Sequence, residues 1–75
     1  MNPFPLRLSP GDDLRRSIEA CLAREGASAA FVVAGIGSLV EARIRYAGRA
    51  EETRLAGPLE IVALAGSVAP DGAHL

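Results

Sequence analysis

Ala29-Ala30-Phe31-Val32-Val33-Ala34-Gly35-Ile36-Gly37-Ser38-Leu39-Val40-Glu41-Ala42-Arg43-Ile44-Arg45-Tyr46 is the stretch whose pattern decides the fold. Ala29 to Ala34 is apolar without a break, the composition of a strand covered on both faces. Gly35 to Ser38 then turns the chain. Val40, Ala42, Ile44 and Tyr46 alternate with Glu41, Arg43 and Arg45, the period of two that marks a half-exposed strand. Gly35 and Gly37 also sit where a phosphate-binding turn would. Such a turn leads directly into a helix whose N-terminal amides face the anion. A strand follows here, so the pair reads as a tight turn between strands.

Upstream, Phe4 to Leu8 alternates around Pro5 and Arg7 and reads as a short edge strand, since proline cannot donate to an inner ladder. Ser9-Pro10-Gly11 breaks it. Asp12 or Asp13 then caps a helix, its carboxylate set against free N–H groups and the positive end of the dipole. Leu14, Ile18, Cys21 and Leu22 form the apolar stripe of that helix, with Arg15, Arg16, Glu19 and Arg24 mostly off it. Gly26 is placed to end it.

Downstream, Ala47 to Leu55 is polar and charged and reads as a loop. Leu59 to Val68 reads as a third long strand, apolar except for Glu60, Gly66 and Ser67. Ala69-Pro70-Asp71-Gly72 is a strong turn signal, after which Ala73-His74-Leu75 opens a further strand. One helix followed by consecutive strands predicts an α+β fold with much antiparallel pairing. A turn only three residues before Leu75 has the look of a domain cut in mid-sheet.

A chain of 75 residues holds one core at most and lies near the lower limit of independent stability. Small domains are commonly supported by disulfides, a metal or oligomerisation. Cys21 is the single cysteine, so no internal disulfide forms, and one histidine with one cysteine cannot complete a four-ligand zinc site. Packing and association with other chains remain. With 49% apolar and 23% charged residues, the chain is not of the disordered class. Its net charge of −1 lacks the basic surplus by which a self-sufficient nucleic-acid-binding domain is recognised. Neither a signal-peptide pattern nor an apolar run of membrane-spanning length is present, which leads to the expectation of a cytoplasmic protein with no membrane partner.

Candidate chemistry is sparse, and no catalytic set is spelled out. Cys21 lies on the apolar stripe and reads as a buried structural thiol. Helix capping accounts for Asp12 and Asp13 without a metal, and Glu51 and Glu52 fall in the polar loop. His74 is the only imidazole, and no triad forms around it. Glu60 is different. It stands among apolar neighbours in a strand, where an unpaired carboxylate is costly. Three readings stay open: it faces solvent at a strand end, it pairs with Arg43 or Arg45 across the sheet, or it belongs to a ligand or interface site.

Several of these patterns fall into one order. Leu6-Arg7-Leu8 precedes Gly11-Asp12-Asp13-Leu14. Gly35-Ile36-Gly37-Ser38-Leu39 follows, then Gly57-Pro58-Leu59-Glu60-Ile61-Val62-Ala63-Leu64-Ala65-Gly66, and last Asp71-Gly72-Ala73-His74-Leu75. In this order and spacing the chain resembles the PPC (plants and prokaryotes conserved) domain in its stand-alone prokaryotic form. The resemblance implies one helix packed on a curved, largely antiparallel mixed sheet, assembled as a homotrimer. Residues 1–75 would be the N-terminal half to two-thirds of the domain, its last strands missing.

It further implies a DNA-associated regulatory role, although the chain has neither an AT-hook nor a basic tail to hold a minor groove. Many prokaryotic members carry a His-Leu-His element and a later Gly-Gly-His that together look like a zinc site. His74-Leu75 matches the first two positions of that element, so His74 becomes a metal ligand if the native chain continues past Leu75. Two alternatives stand beside this one. In the first, a metal or small molecule binds in trimer clefts near Glu60 and His74. In the second, the domain is purely structural and its apolar strands bind partner chains.

Overall fold

The computed structural model describes residues 3 and 5–75. The one helix among the described residues, α1 (Leu14–Arg24), starts where the carboxylates direct it. Asp13 is the N-cap, its Oδ1 accepting from the Arg16 N–H at 2.9 Å. Asp12 instead closes the preceding turn, Oδ2 accepting from the Ser9 N–H at 2.9 Å while its own N–H donates to the Ser9 carbonyl at 3.1 Å. At the other end the Gly26 N–H donates to the Ala23 carbonyl and the Ala27 N–H to the Leu22 carbonyl. That pair of bonds needs a left-handed residue between helix and exit, and Gly26 supplies it at φ +66°.

Five strands follow: β1 (Ala30–Val32), β2 (Gly37–Ile44), β3 (Thr53–Ile61), β4 (Gly66–Ala69) and β5 (Gly72–His74). They form two sheets, one ordered β1-β4-β5 and the other the β2–β3 pair, and every pairing is antiparallel. The α+β expectation is met, with two sheets in place of one and no parallel pair among the described residues. The chain divides into two compact units, one of Met1–Val33 with Ala65–Leu75 and the other of Ala34–Leu64.

In the first unit α1 packs on the three-stranded sheet. Leu22, Val68 and Ala73 form its buried centre, with Ile18 and Val32 against them, and Val68 is only 2% exposed. Cys21 is buried as a free thiol. Ala69 and Gly72 pair across the Pro70-Asp71 turn, and Gly72 takes φ +125°, where a side chain would be strained. Gly66 is needed for a different reason. A Cβ there would run into the His74 carbonyl oxygen, with the Leu75 Cα 2.8 Å away.

Three strand expectations need correction. Residues 5–8 carry no strand, and Phe4 lies outside the described residues; proline at 5 removes a donor and no neighbouring strand pairs with this segment. The run from Ala29 to Ala34 is not covered on both faces, for only Ala30–Val32 pairs and Phe31 is 70% exposed. The third strand begins earlier than Leu59 and stops sooner than Val68. Thr53 to Ala56 pairs with Ile44 to Glu41, and residues 62–65 interrupt the run before β4. Thr53 and Arg54 are polar because this end of the ribbon is solvated, a pattern that imitates a loop.

The second unit is that ribbon. Its register holds from Ile44↔Thr53 to Glu41↔Ala56 and from Leu39↔Leu59 to Gly37↔Ile61, with a bulge between that sets Gly57 and Pro58 against Val40. Gly57 is required there, since a Cβ would strike the Val40 carbonyl oxygen. A two-stranded ribbon is marginal by itself in water. This one buries no residue fully, and Ile36, Val40 and Val62 are 89%, 87% and 85% exposed.

Candidate functional site

The charged end of the β2–β3 ribbon is organised by Glu41, not by Glu60. Arg43 and Arg54 stand directly opposite each other in register, an unfavourable placement for like charges. Glu41 resolves it by taking both: Arg54 Nε donates to Glu41 Oε2, and Arg43 Nη2 lies 3.7 Å from Oε1. The hydrogen bond from Arg54, together with the charges of Arg54 and Arg43, holds the Glu41 carboxyl below its ordinary value.

Glu60 makes neither of its expected intrachain pairs. It is exposed opposite Ser38 and forms no ion pair among the described residues. The register explains this. Arg43 is five residues and Arg45 seven residues further along β2 than Ser38, about 17 and 23 Å at the strand repeat. No side chain spans that distance. Arg45 lies one residue past the end of β2, exposed and also without an ion pair among the described residues.

In the other unit His74 ends β5, with Nε2 3.6 Å from Asp71 Oδ2 across the hairpin turn. Both side chains are exposed. Two donors fall short of the three or four that zinc requires. No cluster of three His, Cys, Asp or Glu able to hold a metal occurs among the described residues. The residues present therefore do not fit a zinc site. Gly35 and Gly37 lead into β2, so no helix N-terminus follows them.

The polar contact that sequence reading missed is Glu19. Its Oε2 accepts from the Ala73 N–H at 2.9 Å and from Arg15 Nε at 3.1 Å, tying α1 to the sheet's last strand. The bond from Ala73, then that from Arg15, keeps this carboxyl below its ordinary value. An open groove of about 540 Å³ runs beside it, lined by Leu22, Ala23, Ala27 and Ala69 with Arg15 and Asp71 on the rim. Glu19 and Arg15 already satisfy each other there, which leaves the groove without a convergent set of free polar groups.

What the molecule presents, then, is a small α+β fold with large apolar residues left in the open. The chain belongs to the Plants and Prokaryotes Conserved (PCC) domain family, which matches residues 1–75. It is 44% identical over 72 residues to the bifunctional protein GlmU of Synechococcus sp. (strain JA-3-3Ab). Over the same length it is 43% identical to the bifunctional protein GlmU of Synechococcus sp. (strain JA-2-3B'a(2-13)). Each alignment takes in 96% of this chain but only 12% and 11% of those relatives, so the chain spans about one-eighth of the curated proteins it matches. No solved structure matches it. No helix among the described residues is long and apolar enough to cross a membrane.

Proposed function

We propose that this domain is an assembly module that associates as a homotrimer and serves DNA-associated regulation. The observation that carries the assembly reading is the exposure of large apolar residues in the strands and beside them. Phe31 of β1 and Val40 of β2 are at least 70% exposed, as are Val33, Ile36 and Val62, which lie just outside the strands. Native mass spectrometry tests the reading. A trimer is expected, and a monomer at every accessible concentration overturns it.

The DNA arm is supported by Arg7, Arg16, Arg24, Arg45 and Arg49, which make no ion pair among the described residues. A trimer presents three copies of this set, and guanidinium groups suit phosphate oxygens. Binding to a duplex should then weaken steeply as salt rises, because phosphate contacts release counterions. Absence of any complex at low salt removes this arm and leaves the assembly reading standing.

A further inference from the structure

We infer that the groove between residues 6–8 and α1 is a site for the phosphoryl group of a small molecule, held by Arg7, Arg16 and Arg24. Such a site goes beyond the assembly and DNA readings and rests on neither.

The helix supplies two of the three cations. Arg16, Ala20 and Arg24 follow one another at i, i+4 spacing and share one strip of α1, with Arg16 and Arg24 about 12 Å apart along the axis. Ala20 between them is short and exposed, which leaves the strip open at its middle. Residues 6–8 lie beside this strip, unpaired to any strand, and bring Arg7 to it. The groove so formed has a volume of about 330 Å³, and Ser17 adds a hydroxyl to its wall.

None of the three arginines makes an ion pair among the described residues. Two carboxylates share the groove, Asp12 and Asp13, both at the end where α1 begins. Each is already engaged by a backbone amide, Asp13 Oδ1 by the Arg16 N–H and Asp12 Oδ2 by the Ser9 N–H. The N-terminus of the helix is thus closed by its own cap and is not the site. Three guanidinium charges against two carboxylates leave the groove positive, and the excess lies toward Ala20 and Arg24.

A guanidinium keeps its charge at any working pH, and its planar fork matches two oxygens of a phosphoryl group. The aspartates decide the size of the ligand. A duplex backbone carries a charge at every step, so laid along the groove it runs against Asp12 and Asp13. One phosphoryl group stops over Ala20, short of them. The volume also falls at the small end of the range of about 300–1,000 Å³ typical of small-molecule sites.

Titration with inorganic phosphate, followed by backbone amide chemical shifts at an ionic strength held constant with sodium chloride, tests the site. Saturable shifts are expected at Arg7, Arg16, Ser17, Ala20 and Arg24, and a parallel titration with glycerol phosphate separates an ester ligand from free phosphate by which of the two binds tighter. Arg16→Gln and Arg24→Gln should each weaken binding about tenfold. Both positions are exposed. Arg7→Gln should do the same from outside the helix, where it cannot disturb α1, and Arg49→Gln in the other unit should change nothing. Shifts that grow without saturating, or that spread equally to Arg45 and Arg49, overturn the site. So does binding that survives all three groove variants. A DNA duplex whose binding is lost in those variants, with phosphate leaving the groove unshifted, also overturns it and assigns these arginines to the DNA arm.

Discussion

Glu19 and Ala73 are 54 residues apart in the chain, yet the carboxylate of one accepts the backbone N–H of the other at 2.9 Å. Ala73 is buried beside Leu22 and Val68, so its amide has no solvent to turn to. The helix and the last hairpin are therefore joined by one charge-assisted bond as well as by packing. Glu19→Ala should lower the melting temperature by several degrees and hasten amide exchange at Ala73, whereas Glu19→Gln, which keeps an acceptor, should cost less. Equal melting temperatures for wild type and Glu19→Ala would show that the bond contributes nothing.

The same bond sets a pH dependence. In the folded chain the Glu19 and Glu41 carboxyls are both held below 4.5, the first by the Ala73 N–H and Arg15, the second by Arg54 and Arg43. Between the folded and unfolded values the unfolded chain binds more protons, so stability rises with pH through that window. The contribution is complete above the unfolded carboxyl value and is lost as pH falls through the lowered ones. Thermal melts across an acid series should show a falling midpoint below about pH 4.5 that Glu19→Gln makes shallower. A Glu19→Gln profile parallel to the wild type at acid pH would contradict this.

At the ribbon, Glu41 separates two arginines that the register places face to face. Glu41→Gln leaves Arg43 and Arg54 opposed, and the ribbon amides should exchange faster at low ionic strength than at high, since salt screens exposed charges. Exchange that does not respond to salt in this variant would mean the two guanidinium groups already avoid each other.

Gly57 carries a different burden. Because a Cβ there meets the Val40 carbonyl, Gly57→Ala must displace the β2 backbone at the bulge, at a cost of about 1–3 kcal/mol. Protection should fall at Leu39 to Glu41 and at Ala56 to Leu59, while the core around Leu22 and Val68 keeps its own. Unchanged protection across the bulge would show that the close approach relaxes freely.

Short-range features of this fold were legible in the residues. An aspartate cap at position 12 or 13, Gly26 at the helix end and Pro70-Asp71-Gly72 at the hairpin each act within three or four positions, where local chemistry decides the outcome. Partners across the chain were not legible. Whether Glu60 or Glu41 would take the arginines depended on register. That register is interrupted by a bulge which Gly57-Pro58 hints at but does not specify in length. Glu19 reads as a surface helix residue because its acceptor role exists only once β5 lies alongside α1. The continuous run from Leu59 to Val68 hid a break, since apolar composition marks burial or bare interface alike and does not say where pairing stops.

Bare apolar residues in and beside the strands support association between copies, and sedimentation equilibrium over a concentration series tests that most directly. The account predicts a species of three times the 7.8 kDa chain mass, which dissociates as the protein is diluted. A single species of 7.8 kDa at all concentrations would contradict it.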